Sequence, residues 1–295
     1  MANLKEIKLK INSVKNTQKT TKAMKLVSSA KLTRTRQLSD MARAYGVKIN
    51  DMISEIAYRI ARVQEKEFTA RVFAQNNSPK VVDIVFVTAD KGLCGGFNMA
   101  TIKAVTRLIN EYTAQGVNVR LRVAGRKGVD FFTFQKFDLT QKSVDLSSAP
   151  DYDKAARFIR EAVEDFENGI TDKVLLVHNG FLNMLSQEIK IKELLPVSLD
   201  NVSTYEASSS ELDIEPDNDE ELIAELVSKY LDFNMYFSLI DSLAAEHSAR
   251  MQAMEAATKN AKERVNSLTV EYNKARQAAI TTELIEIISG VEALK

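Results

Sequence analysis

Apolar residues near both ends of the chain recur at alternating spacings of three and four positions, a pattern typical of the seam of a coiled coil. Near the N-terminus the pattern comprises Leu4, Ile7, Ile11, Val14, Met24, Val27, Leu38, Met41, Tyr45 and Met52. Near the C-terminus it comprises Met251, Met254, Thr258, Ala261, Val265, Leu268, Tyr272, Ala275 and Ala279. No glycine precedes Gly46, and neither glycine nor proline occurs between Pro216 and Gly290. The pattern therefore predicts two long helices, one from each end of the chain.

The centre of the chain has a different pattern, in which β-branched runs alternate with amphipathic stretches. Strands are predicted at Val81–Val87, Val117–Ala124, Lys173–His178 and Glu188–Leu194, and helices at Met99–Gln115, Arg126–Gln135 and Tyr152–Phe166. Such alternation predicts a Rossmann-like α/β domain. Because this domain lies between the two long helices, we expect the helices to form an antiparallel coiled coil. The expected division is residues 1–60 (helix), 80–200 (α/β domain), 201–219 (acidic link) and 220–295 (helix).

Charge is distributed unevenly, although the formal net charge is zero. Residues 1–36 contain ten lysines and arginines and one acid, whereas residues 200–221 contain nine acids and no base. A basic helix of this kind could bind nucleic acid, acidic lipid or an acidic protein surface. No aromatic residue precedes Tyr45, which disfavours base stacking and membrane insertion. An acidic protein partner is the better interpretation.

The glycine-rich segment Thr88–Asn98 (TADKGLCGGFN) lies between a predicted strand and a predicted helix, where phosphate-binding loops occur. Its glycines do not have the spacing of either common phosphate-binding motif, so a tight structural turn is the simpler interpretation. Cys94 is the only cysteine, which excludes an internal disulfide. Neither His178 nor His247 lies in a nucleophile or metal-ligand pattern. We therefore expect no catalytic, cofactor or metal site. No run is long and apolar enough to span a membrane, and no secretory signal precedes the first helix, so a soluble chain is expected.

The last residues are apolar on more than one side of the predicted helix. Ile280, Leu284, Ile285, Ile287, Ile288, Val291 and Leu294 crowd this end, and residues 277–294 contain no base. This is wider than the single stripe of a coiled-coil seam. Dimerisation of the helix ends would explain it, and so would a tip that other chains enclose.

Four blocks resemble one known family, the gamma subunits of F-type ATP synthases of the bacterial type. They are INSVKNTQKTTKAMKLVSSA (11–30), TADKGLCGGFN (88–98), ARMQAMEAAT (249–258) and EYNKARQAAITTELIEIISG (271–290). The resemblance implies a central rotor shaft that transmits torque between a proton-driven membrane ring and the catalytic subunits, and that is not itself an enzyme. It implies one copy per complex, inside a ring of three catalytic and three non-catalytic subunits, with a small epsilon-type regulatory subunit and without nucleic acid.

Motif matching also implies which residues contact partners. Contacts with the catalytic ring are expected at Met24, Lys25, Lys91, Cys94, Arg250, Arg276, Gln277, Thr281 and Glu283. The segment before Pro216 departs from the family pattern, so contacts of Tyr205 and Glu206 with the membrane ring are the least supported. The expected location is the cytoplasmic face of the bacterial inner membrane, as a peripheral subunit. Two alternatives remain: an α/β nucleotide-using enzyme with a coiled-coil arm, and a basic coiled-coil protein that binds nucleic acid.

Overall fold

The computed structural model describes residues 4–62, 71–74, 76, 78–197 and 219–292. Its elements in chain order are α1 (Leu4–Arg62), a short 3-10 helix (Arg71–Phe73), β1 (Val81–Val87), α2 (Phe97–Ala114), β2 (Asn118–Ala124), α3 (Arg126–Phe134), β3 (Leu139–Ser143), α4 (Tyr152–Glu167), β4 (Lys173–Phe181), β5 (Gln187–Leu195) and α5 (Asp219–Glu292). Every predicted strand and helix is present, with ends that differ by a few residues. β3 is additional, because its sequence LTQKS has one apolar residue and carries no strand signal.

The five strands form one sheet in the order β3-β2-β1-β4-β5. β1 pairs in parallel with β2 and β4, β2 pairs in parallel with β3, and β5 pairs antiparallel with β4. Parallel neighbours need crossover connections, which α2, α3 and α4 provide. Parallel strands with crossover helices and one antiparallel edge strand confirm the predicted Rossmann-like α/β class.

Alternating side chains of β1 supply two hydrophobic cores, one on each face of the sheet. Val82, Ile84 and Phe86 pack with residues of α2 and α3. Val85 and Val87 pack with residues of α4, α5 and the second half of α1. All five side chains are fully buried, which explains why β1 has an almost continuously apolar sequence.

The chain comprises two compact units, one of residues 1–30 with 250–295 and the other of residues 31–249. In the first unit α1 and α5 run antiparallel, as predicted. The hydroxyl oxygens of Thr21 and Thr258 lie 2.7 Å apart, and Lys25 Nζ donates to Glu255 Oε1 at 2.6 Å. The C-terminal seam is confirmed, since Met254, Ala261 and Leu268 are its most buried positions.

The predicted seam of α1 is wrong beyond its first turns. Val27, Leu38, Met41, Tyr45 and Met52 are 39–73% exposed, and the buried face of α1 instead contains Thr21, Ser28, Leu32, Thr35, Ser39, Gly46, Ile49 and Ile53. Close packing explains why small residues lie there: a Cβ on Gly46 would lie 2.8 Å from Phe233 Cε1. An apolar pattern cannot identify a seam built from small and polar side chains.

Candidate functional site

The glycine-rich loop Thr88–Asn98 is a hydrogen-bonded turn that joins β1 to α2. Asn98 connects its two ends, because Oδ1 accepts from the Ala89 N–H at 2.9 Å and Nδ2 donates to Cys94 Sγ at 3.2 Å. Leu93 has a φ of 64°, in the left-handed region. The hydrogen bonds of Asn98 hold the segment as a turn between β1 and α2.

Cys94 anchors this loop to α5. Its side chain is 2% exposed and belongs to a small apolar cluster with Phe97, Ala245 and Ala249. This burial leaves Cys94 almost no surface to offer a partner, whereas Lys91 in the same loop is exposed. Of the two residues predicted in this loop, only Lys91 has an accessible side chain.

Asp90, three residues beyond the end of β1, accepts four hydrogen bonds. Its Oδ1 accepts from the backbone N–H groups of Arg126 and Asp145 at 2.9 and 3.1 Å. Its Oδ2 accepts from the Ser147 hydroxyl at 2.9 Å and the Ser148 N–H at 3.1 Å. Burial alone would raise the pKa of Asp90, but these hydrogen bonds outweigh it and hold the pKa below its usual value. Asp90 thus connects the loop after β1 to the start of α3 and to residues 145–148.

Two glycines let β1 and α3 approach closely beside Asp90. Gly125 has a φ of 118°, and a Cβ there would lie 2.0 Å from the Thr88 carbonyl oxygen. Thr88 Oγ1 accepts from the Gly128 N–H at 2.9 Å and donates to the Gly125 carbonyl at 3.2 Å. The end of β1 and the start of α3 are thus in direct contact.

Met24 and Lys25 lie beside the seam of the first unit and are both half-buried. Lys25 already pairs with Glu255, and its side chain remains 34% exposed. Arg250 lies on α5, where only 9% of the residue is exposed. These three residues contribute to the packing of this chain. Of the two charged ones, Lys25 is more exposed than Arg250.

The other predicted residues of α5 are accessible. Arg276, Gln277, Thr281 and Glu283 are all exposed, and the Thr281 hydroxyl donates to the Gln277 carbonyl oxygen at 3.0 Å. Tyr205 and Glu206 lie outside the described residues. The helix thus presents four of its predicted contact residues on one exposed end segment.

The end of α5 carries the largest exposed apolar surface on that helix. Ile280, Leu284, Ile285, Ile287, Ile288 and Val291 are 44–63% exposed. The antiparallel pairing of Thr21 with Thr258 puts the start of α1 opposite residues near 275, so these residues extend beyond the described part of α1. A helix segment with apolar side chains on several sides is unusual on an isolated chain.

Two buried charge clusters have no counterpart in the sequence-based predictions. Asp83 in β1 accepts from Arg122 Nε at 2.7 Å, and Arg122 also pairs with Asp165 of α4. A lone charge inside a buried strand run was the only signal for this cluster. Breaking such a pair would leave an uncompensated buried charge, which is strongly destabilising.

The second cluster joins β4 and β5 to α5. Asp241 Oδ2 lies 3.2 Å from His178 Nε2 and accepts from Lys190 Nζ at 2.6 Å, and Oδ1 accepts from the Phe181 N–H at 3.2 Å. Burial lowers the pKa of His178, against the opposing effect of Asp241. Burial would raise the pKa of Asp241, but the bonds from His178 and Lys190 hold it below its usual value. His178 and Asp241 are buried, and Lys190 reaches them from the partly exposed strand β5.

No group of three or more potential ligand side chains in the described ranges could hold a metal ion. Nor does any helix within those ranges have the length and apolar character needed to cross a membrane.

Comparison with known proteins identifies the family. A model of the ATP synthase family matches residues 3–294. The ATP synthase gamma chain of Aliarcobacter butzleri (strain RM4018) is 73% identical over 296 residues, and that of Sulfurovum sp. (strain NBC37-1) is 56% identical over 295 residues; each match covers 100% of both chains.

Solved structures agree. A chain of the Tetrahymena thermophila mitochondrial ATP synthase central stalk and c-ring structure superposes with a TM-score of 0.62 at 26% identity, over 80% of this chain and 98% of that one. A chain of the Euglena gracilis mitochondrial ATP synthase (OSCP/F1/c-ring) has the same fold, with a TM-score of 0.67 at 19% identity, over 99% and 94% of the two chains. The chain described here therefore belongs to the family of ATP synthase gamma chains.

Proposed function

We propose that this chain is the central rotor shaft of an F-type ATP synthase and transmits torque between a proton-driven membrane ring and the catalytic subunits. The observation that carries the proposal is the exposed apolar end of α5, whose six large apolar side chains are 44–63% exposed. Surfaces of this kind mark contacts with other chains. Within an apolar collar the tip could turn while few directional bonds break at each step.

Electrostatics supports a second contact, along α1. Lys8, Lys15, Lys19, Lys22, Lys31, Arg34 and Arg36 are all exposed, so the basic character of the sequence lies on the surface. Such a surface would attract acidic segments of the catalytic subunits without requiring a rigid fit. One shaft in a threefold ring contacts each catalytic subunit differently. Contacts that differ in free energy between open and closed subunits would couple rotation to nucleotide affinity. By linkage, nucleotide binding would then also drive rotation.

The proposal assigns no catalysis to this chain. It assigns contacts with the ring to Met24, Lys25, Lys91, Arg250, Arg276, Gln277, Thr281 and Glu283, with Cys94 holding the loop that presents Lys91. Tyr205 and Glu206 are proposed contacts with the membrane ring. Residues 1–60 and 220–295 would form the shaft, residues 80–200 its α/β domain and residues 201–219 the acidic link.

The proposed assembly contains one copy of this chain with three catalytic and three non-catalytic subunits, an epsilon-type subunit and the membrane ring. It would lie on the cytoplasmic face of the bacterial inner membrane. Native mass spectrometry of the purified assembly tests this composition, and a symmetric oligomer of this chain without other subunits would contradict it. Binding to DNA or RNA that falls steeply with salt would favour the nucleic-acid alternative.

A matched pair of substitutions tests the role of the tip. Ile287 is 63% exposed at the end of α5, and Ile170 is 50% exposed in the α/β unit. Because both are exposed, Ile287→Asp and Ile170→Asp should each change the stability of the isolated chain by less than about 0.5 kcal/mol. In the assembly only Ile287→Asp should reduce ATP-driven proton pumping, since a charge would then enter an apolar collar. Equal proton pumping by the two variants would contradict an apolar collar around the end of α5.

A further inference from the structure

The edge strand β3 offers unused backbone hydrogen-bonding groups. It pairs with β2 along one side only, and no described strand pairs with its outer edge. An open edge is a template for pairing with an extended segment of another chain. The strand is short, at five residues, and its side chains alternate between half-buried and exposed.

A cleft of about 440 Å³ lies beside this edge. One wall is the end of β3 and the loop after it, and the other is the part of α4 from Lys154 to Glu161. It is lined by Gln141, Lys142, Ser143, Val144, Asp145, Leu146, Lys154, Arg157, Phe158 and Glu161. Leu146 and Phe158 are 4% and 6% exposed, so they form an apolar floor.

The acidic and basic side chains around the cleft differ in whether they have ion-pair partners. Its two acids are each near an arginine, with Asp145 Oδ1 3.8 Å from Arg126 Nη2 and Glu161 Oε2 3.7 Å from Arg122 Nη1. Two basic side chains from α4, Lys154 and Arg157, are exposed at the cleft and form no ion pair with any described residue. The cleft therefore offers two cations to which an incoming carboxylate could bind.

We propose that the cleft binds an extended, acidic segment of another chain of the same assembly, which adds to the outer edge of β3 as a further strand. Backbone pairing would supply general affinity, and carboxylates opposite Lys154 and Arg157 would select the segment. A nucleic acid could use the cations but would leave the backbone groups of β3 unpaired. The proposal rests on membership of an ATP synthase assembly, as proposed above.

Hydrogen exchange measured by mass spectrometry on the isolated chain and on the purified assembly tests the backbone part. Those amides of residues 139–143 that point to the outer edge of β3 should exchange at least tenfold more slowly in the assembly. Exchange at the same rate in both would overturn the proposal. The rotor assignment would survive that result, because the assembly would have formed without using this edge.

A matched double charge reversal tests the electrostatic part. Lys154→Glu/Arg157→Glu changes the cleft, while Lys103→Glu/Arg107→Glu makes the same charge change on an exposed face of α2. Only the cleft variant should lose the protection of β3. If it assembles poorly, the neutral pair Lys154→Gln/Arg157→Gln replaces it. Protection that persists in these cleft variants would overturn the charge selection.

The identity of the bound segment is tested by a photoreactive side chain at position 142 in the purified assembly. The crosslinked peptide should be rich in Asp and Glu. A crosslink to a basic or neutral peptide, or to nucleic acid, would overturn the proposal.

Discussion

Replacing Asp90 with asparagine should loosen the α/β domain without removing any apolar contact. Asparagine keeps one carbonyl oxygen, which can still accept from the backbone N–H groups of Arg126 and Asp145. The new amide NH₂ then replaces the oxygen that accepts from Ser147 Oγ at 2.9 Å and the Ser148 N–H at 3.1 Å. Ser147 can rotate to become an acceptor, but the Ser148 N–H is left facing another donor.

The size of the effect follows from these contacts. A hydrogen bond to a charged group contributes about 1.5–3 kcal/mol, and a donor left unsatisfied adds a desolvation cost. The bonds share one carboxylate and do not add fully, so about 3 kcal/mol is expected for the variant. For a domain of this size that corresponds to a melting temperature lower by roughly 10 °C.

The single thiol gives a local assay. Cys94 lies four residues from Asp90, is 2% exposed and is the only cysteine in the chain, so reaction with a thiol reagent requires the loop to open. When opening is in rapid equilibrium, the labelling rate follows the open population. A cost of about 3 kcal/mol should raise the rate on the order of 100-fold.

Asp145→Asn is the matched control. The Asp145 carboxylate is 76% exposed and lies 3.8 Å from Arg126, so its loss should cost less than about 0.5 kcal/mol and change labelling by less than about threefold. If Asp90→Asn labelled no faster than Asp145→Asn, the structural role assigned to Asp90 would be refuted.

The pH dependence provides an independent check on Asp90. The carboxyl pKa is held below its usual value, so its contribution to stability is complete above about pH 4 and is lost as the pH falls through the lower folded-state pKa. The difference in unfolding free energy between the wild-type chain and Asp90→Asn should therefore narrow below about pH 4. A difference that widens there would contradict this linkage.

Three further changes have expected outcomes. Gly125→Ala should prevent stable folding of the α/β domain, because its Cβ would lie 2.0 Å from the Thr88 carbonyl oxygen; circular dichroism with labelling of the thiol measures this, and a native-like variant would refute it. Burial lowers the pKa of His178, so its contribution to stability should be complete above about pH 6.5, fall by up to about 1.4 kcal/mol per pH unit below that, and level off once the pH is below the folded-state pKa; a His178→Gln chain whose unfolding free energy, measured with denaturant, depends on pH in the same way would contradict this. Leu32→Gln should lower the unfolding free energy by more than about 2 kcal/mol and Leu38→Gln by less than about 0.5 kcal/mol, because the two leucines are 3% and 48% exposed. Equal shifts in the denaturant midpoint would contradict the buried face of α1 described above.

The glycine spacing of the loop after β1 predicts a structural turn, because that signal lies within a few consecutive residues. The hydrogen bonds through Asn98 agree with this interpretation, and the partner contacts of the candidate site stay predictions. The Asp90 network could not be predicted, because its donors come from three separate stretches of chain that only the sheet brings together. The burial of Cys94 could not be predicted either, because Ala245 and Ala249, which pack against it, lie far away in sequence.

The sequence alone determined the two long helices, the α/β class and the seam of α5, because each of these is encoded by periodic apolar positions or by breakers within one segment. Only the tertiary structure decided the seam of α1, where Ser39 and Gly46 lie at the contact and Met41 does not. A periodic pattern records which side chains are apolar. It does not record how close the neighbouring element approaches, and at short separations that distance selects small residues over apolar ones.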